Sequence, residues 1–218
     1  MPQLFRPSAN VLARVVIFGG LGGTVLLALL GYTLYKSPYY TNVDVAIEQP
    51  VPFSHKHHVL DDGIDCRYCH TTVENSSTAG MPSTETCMTC HSQLFKDSRM
   101  LEPVRASFRT GVPLHWRRVN SLPQFCYFDH SIHVRKGIGC VTCHGRVDEM
   151  PITMKKHTLY MEWCLNCHRG PQRYLRPVSE VFDMTWSPTD QLALGNQLFK
   201  RYHILSAHQL SNCSTCHR

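Results

Sequence analysis

Five times the chain reads Cys-x-x-Cys-His: Cys66–His70, Cys87–His91, Cys140–His144, Cys164–His168 and Cys213–His217. Two thiols three residues apart share one face of a helical turn, so both can add to the vinyl groups of one porphyrin. The His that follows falls beneath the ring, where its imidazole can take the proximal place on iron. Such spacing is that of covalent c-type haem attachment. Paired CxxC motifs can instead hold structural zinc, which needs no His after the second Cys. Here His follows every time, although only 14 of 218 residues are His. The expected cofactors are five covalently bound haem c. Their thioether positions are Cys66, Cys69, Cys87, Cys90, Cys140, Cys143, Cys164, Cys167, Cys213 and Cys216; their proximal ligands are His70, His91, His144, His168 and His217.

Ten of the eleven Cys are used in this way. A disulfide framework would not set its cysteines in such close pairs. Cys126 is left over, inside the apolar aromatic run Phe125–Phe128, and reads as a small packed side chain.

A low-spin electron-transfer haem also needs a distal ligand, and nine His lie outside the five motifs: 55, 57, 58, 115, 130, 133, 157, 203 and 208. Two stretches repeat. Phe53-x-His55-x-x-His58-Val59 precedes Cys66–His70, then Met81-Pro82 and Cys87–His91; Phe128-x-His130-x-x-His133-Val134 precedes Cys140–His144, then Met150-Pro151 and Cys164–His168. Each repeat reads as a two-haem module introduced by its own His-x-x-His. Spacing of three puts His55 with His58, and His130 with His133, on one side of a turn, from which each pair can reach two irons. These four are the expected distal ligands; His57 breaks the spacing. The fifth iron has several candidates: Met150 and Met154, with Met81 in the matching place of the first repeat, and His157, His115, His203 and His208. A thioether ligand such as Met150 would raise that haem's potential.

The elements that must position these groups follow from length and patterning. Val15 to Tyr35 is a run of 21 residues without a charge, enough for about 30 Å of hydrocarbon. Arg6 and Arg14 precede it and only Lys36 follows closely, which orients the N-terminus to the cytoplasm and the remainder to the periplasm of a bacterial inner membrane. The rival reading, a cleaved signal peptide, would have a shorter apolar run and an A-x-A-like site after it. Gly19, Gly20, Gly22 and Gly23 within the run would let another helix approach. About 180 residues then remain for five haems, too few for a large aliphatic core, so porphyrins must form the interior. The expected fold is mostly α with long loops and little strand: a transmembrane helix plus a haem-packed multihaem ectodomain. Domains are placed at 1–36 (N-terminus and anchor), 37–120 (first dihaem module) and 121–218 (second module with the fifth haem). The formal net charge of +6 is offset by haem propionates, and no basic run exceeds two residues, which excludes nucleic acid as a partner.

His-x-x-His ahead of CxxCH resembles the class III multihaem cytochromes c, the c3/c7 group. The order of anchor, PFSHKHHV, TCMTCH, YFDHSIHVRKGIGCVTCHGRVDEMP, MEWCLNCHR and NCSTCHR is similar, over essentially the full chain, to the pentahaem subunit of alternative complex III. That family is a bacterial quinol:electron-acceptor oxidoreductase. The resemblance implies a non-catalytic electron wire beside an iron–sulfur subunit, a monohaem cytochrome c subunit and membrane-embedded quinol-oxidising subunits, delivering electrons to a downstream cytochrome c or oxidase. It also leads one to expect a His near Asn120, so any ligand role there is absent. Two other readings differ. A free-standing quinol dehydrogenase of the tetrahaem type has a Met soon after an early CxxCH, whereas Thr71 and Thr72 follow His70. A multihaem reductase needs an open haem and often an altered motif, whereas all five motifs here end in His.

Overall fold

A computed structural model describes residues 6–217. The chain forms two compact units that divide between Asn42 and Val43. The first is dominated by helix α1, Ser8–Lys36, 29 residues long and exposed along almost its whole length. It starts seven residues before the uncharged run, because nothing between Pro7 and Val15 breaks a helix. It stops at Ser37, which is extended (φ −70°, ψ 155°), since the residue before a proline is driven out of the α region. Thr24 and Thr33 turn their hydroxyls back onto Gly20 O and Leu30 O, both at 2.9 Å, so neither needs a partner outside the helix. Tyr32, Tyr35, Tyr39 and Tyr40 gather at its C-terminal end, the last two on or beside the short α2, Pro38–Thr41. Tyrosine at that level suits a membrane–water interface. The helix is long and apolar enough to cross a membrane.

The second unit, from Val43 onward, is short helices joined by long loops. In chain order come one π-helical turn, Lys56–Asp61, then α3 (Cys66–Cys69), α4 (Thr84–His91), α5 (Glu102–Thr110), α6 (His130–Arg135), α7 (Cys140–His144), α8 (Met161–His168), α9 (Gln191–Arg201), α10 (Ala207–Leu210) and α11 (Cys213–Cys216). Among the described residues there is no strand, only isolated bridges such as Ile138 with Leu175. The expectation of a mostly helical, loop-rich chain is met. Its polypeptide core is small: Val73, Val134 and Val181 pack together with Ala79, Cys140 and Phe182 around them. Among the described residues the buried apolar side chains are Val, Leu and Met, with Pro171. So modest a core leaves the interior to flat cofactors.

One loop braces the third motif. Residues 174–186 lie along the turn Gly137–Cys140: Arg176 N–H donates to Gly137 O at 2.9 Å and Cys140 N–H to Val181 O at 3.1 Å. Gly137 has φ +77°, and a Cβ there would collide with the Arg176 carbonyl, so only glycine fits. Buried Arg176 donates to Glu180 O and Asp183 O at 3.2 and 2.8 Å and lies over Trp186. Helix α9, capped by the Asp190 carboxylate on Ala193 N–H, presses Gly195 onto Gln172 O and holds that loop through Gln191, which donates to Gln172 O and Leu175 O.

Candidate haem-binding sites

Each CxxCH folds as a short helical turn, so the two sulfurs of a pair share a face. Side-chain caps start two of these turns. The Asp65 carboxylate accepts from Arg67 N–H at 2.8 Å ahead of α3, and Asn212 Oδ1 accepts from Ser214 N–H at 3.1 Å ahead of α11. None of the eleven cysteines is in a disulfide. Burial pushes Cys143 up to about 12 and Cys140 and Cys167 up to about 11. It also raises Cys66, Cys69, Cys87, Cys164 and Cys216. These are neutral thiols in apolar surroundings, suited to lie against a porphyrin edge. Zinc would require converging thiolates, and among the described residues no three His, Cys, Asp or Glu side chains converge on a metal position.

The imidazoles are arranged in facing pairs. Ring centres of His58 and His91 are 6.1 Å apart, those of His130 and His144 6.4 Å, and those of His133 and His168 6.2 Å. A metal–nitrogen bond of about 2.0 Å and a five-membered ring whose vertex lies about 1.1 Å from its centre together predict about 6.2 Å between two imidazoles sharing one iron. The three separations match. For His55, the neighbour that bears most on its titration, after burial, is His70.

Protonation agrees with this arrangement. Burial, reinforced by neighbouring imidazoles, pushes His55 and His144 down to about 4, and burial lowers His133. These three rings are therefore neutral near pH 7, the form that ligates metal. Seven imidazoles donate Nδ1–H to a backbone carbonyl: His58 to Ser54, His70 to Gly80, His91 to Leu94, His130 to Ser77, His133 to Asp129, His168 to Leu210 and His217 to Phe125, at 2.6–3.1 Å. A carbonyl can only accept, so the proton sits on Nδ1 and the Nε2 lone pair is left for iron. His55 Nδ1 lies 2.9 Å from Thr153 Oγ1 and His144 Nδ1 lies 3.3 Å from Asn120 Nδ2. The residues fit haem c.

Phe53 and Phe128 act as matching wedges. Phe53 meets His55 edge-on (4.9 Å, 87°) and stacks on His58 (4.5 Å, 24°); Phe128 meets His130 edge-on (4.8 Å, 90°) and stacks on His133 (4.5 Å, 27°). Spacing alone draws attention to the histidines, yet the repeated Phe two residues upstream was the signal for this positioning role. The two His-x-x-His turns are not identical: the first is π-helical and the second α-helical. His57 lies on the exposed side of the first turn near Asp61 and Asp62.

Contacts between the motifs and the segments beside them set the order of the motifs in space. Tyr68 in the first and Thr89 in the second join hydroxyls at 2.8 Å. His130 Nδ1 reaches Ser77 O, just after the first motif, while Thr153, just after the third, reaches His55. Thr142 of the third motif and Asn166 and Cys167 of the fourth line one cavity of ≈ 330 Å³ with His157 and Trp163. His168 Nδ1 reaches Leu210 O, and Tyr127 N–H donates to Cys216 O at 2.8 Å. The order is second, first, third, fourth, fifth.

The other candidates lie as follows. Buried Met150 accepts Met154 N–H on its sulfur at 3.4 Å, Met154 bridges to Ala46, and Met81 is exposed. His157 stacks on Trp163 at 5.2 Å, while His115, His203 and His208 are exposed. His217 has Phe125 as a ring neighbour at 5.9 Å. Cys126 pairs its backbone with His217.

Comparison with known proteins matches residues 35–111 to the class III cytochrome c family, and residues 126–218 to cytochrome c7 and related cytochrome c. The chain is 33% identical over 167 residues, 67% of its own length and 78% of the relative's, to "Menaquinone reductase, multiheme cytochrome c subunit" of Nitratidesulfovibrio vulgaris (strain Hildenborough). The chain belongs to the class III/c7-type multihaem cytochromes c. As a member of that group, this cytochrome carries covalently bound haem c in a helical, haem-packed unit.

Proposed function

We propose that this chain is a membrane-anchored pentahaem cytochrome c, the electron-relay subunit of a quinol:electron-acceptor oxidoreductase, and makes no bonds itself. The observation that carries the reading is the three imidazole pairs at 6.1–6.4 Å, because an iron held between two such rings would exchange electrons with no position left for a substrate. Cys66 to Cys216 of the five motifs form the thioethers; His70, His91, His144, His168 and His217 are proximal ligands, and His55, His58, His130 and His133 are distal ligands. The dihaem modules occupy 37–120 and 121–218. Bound haem supplies reversible one-electron chemistry; the protein neutralises, orients and buries its imidazoles, which sets the potentials. The motif order gives the row two ends, at the second and fifth motifs.

Residues 1–36 are the anchor, with the N-terminus in the cytoplasm and the haem unit in the periplasm. The similarity to a subunit of menaquinone reductase supports quinone-linked partners in the membrane. The motif order supports the complex resembled above, with an iron–sulfur subunit and a monohaem cytochrome c as neighbours and a downstream cytochrome c or oxidase as acceptor. Native mass spectrometry of the complex purified from membranes tests this. Five haems on this chain with membrane and iron–sulfur neighbours is the expected result; a lone haem protein that oxidises menaquinol would overturn it.

A further inference from the structure

Of the five CxxCH imidazoles, four have Nδ1 held by a backbone carbonyl, at Gly80, Leu94, Leu210 and Phe125. His144 differs. Its Nδ1 lies 3.3 Å from Nδ2 of Asn120, in the loop that joins α5 to α6. Asn120 Oδ1, on the other side of the same amide, is buried and has no hydrogen-bond partner. These two facts have one remedy.

With Nδ2–H pointing at Nδ1, the ring nitrogen must offer its lone pair, so the ring's proton would sit on Nε2, the atom that has to face iron. His144 could not then ligate. The amide oxygen and nitrogen are nearly the same size and exchange places by a half-turn of the side chain. After that half-turn the orphaned oxygen accepts from Nδ1–H, and Nε2 presents its lone pair to the third haem.

We propose that Asn120 is the positioning residue of the third haem: its carboxamide oxygen accepts the His144 Nδ1 proton, selecting the ligating tautomer and setting the donor strength of that imidazole. The inference rests on haem c at the third motif. A backbone carbonyl cannot be exchanged by mutation, so this is the one proximal ligand of the five whose partner a single substitution can alter. A carboxylate at 120 pulls harder on Nδ1–H, makes the ring more imidazolate-like and favours ferric iron. An apolar isostere removes the acceptor and favours ferrous iron.

The test uses the full-length holoprotein. Haem-peptide mass spectrometry of the fragment bearing Cys140 and Cys143 first establishes loading; an unloaded third motif overturns the functional reading and this inference with it. Redox titration followed by electron paramagnetic resonance then compares wild type with Asn120→Asp and Asn120→Leu. The third-haem step is identified as the one that leaves the low-spin set when its distal ligand is removed in His130→Ala. Expected is about a tenfold shift of that step's reduction equilibrium, 59 mV for one electron, downward in Asn120→Asp and upward in Asn120→Leu, with the other steps unmoved. Asn120→Asp is close to isosteric, so it reports even if Asn120→Leu folds poorly. A loaded motif whose step stays put, or moves the same way in both variants, overturns the inference alone.

Discussion

Removing one distal imidazole should open one iron and no other. His133 and His168 have ring centres 6.2 Å apart; half of that, less about 1.1 Å from ring centre to nitrogen, is about 2.0 Å, a metal–nitrogen bond. In His133→Ala the side chain ends at Cβ and nothing replaces that bond. The variant also loses the Phe128 stack at 4.5 Å, worth about 0.5–1.5 kcal/mol, and the donation from Nδ1–H to Asp129 O at 2.6 Å, worth about 0.5–1.5 kcal/mol. Together these are about 1–3 kcal/mol, or a Tm lower by about 2–12 °C for a chain of this size. The assay is electron paramagnetic resonance with carbon monoxide difference spectra. One haem equivalent should become high-spin, bind carbon monoxide once reduced, and return to low spin on adding imidazole. His57→Ala, on the exposed side of the first turn, should leave the spectrum as in wild type. A fully low-spin His133→Ala protein would refute the pairing, and with it the assignment of four haems to the two His-x-x-His turns.

Two further substitutions probe the scaffold. Gly195→Ala places a Cβ against the Gln172 carbonyl and should cost about 1–3 kcal/mol by forcing α9 off the brace, seen as a lower Tm with all haems still attached. Asp129 caps α6 through Ile132 N–H and accepts from Ser131 Oγ, and those bonds hold its carboxyl below the usual 3.8. Asp129→Ala should cost about 1 kcal/mol. Because the folded carboxyl titrates lower than the unfolded one, that stabilisation is present above about pH 4 and is lost as pH falls through the lowered value. The Tm gap between wild type and Asp129→Ala should therefore be widest near neutrality and close in acid; a gap that widened in acid would contradict the capping role.

Local spacing carried much of this protein openly. CxxCH places two sulfurs and an imidazole on one turn whatever the rest of the chain does, and a long uncharged run makes a long apolar helix. The helical, loop-rich character followed from how few residues remain per haem. The bounds of α1 were less legible: the charge pattern marks where lipid could be, while Pro7 and the Ser37–Pro38 step decide where the helix stops.

What lies between distant residues could be decided only by the fold. Nothing in the repeat says that His58 faces His91 while His130 faces His144, because each His-x-x-His offers two rings, three residues apart, to both motifs that follow it. The carbonyls of Ser77, Leu94, Leu210 and Phe125 leave no trace in the sequence, since every residue has one. The crossing of Ser77 to His130 and Thr153 to His55 sets the first motif beside the third, so the order in space is not the order in the chain. The sequence by itself determined which groups can hold haem, because that chemistry needs only neighbours three and four residues apart. Which imidazole meets which was settled by the tertiary structure, because the paired rings lie 14 to 35 residues apart in the chain.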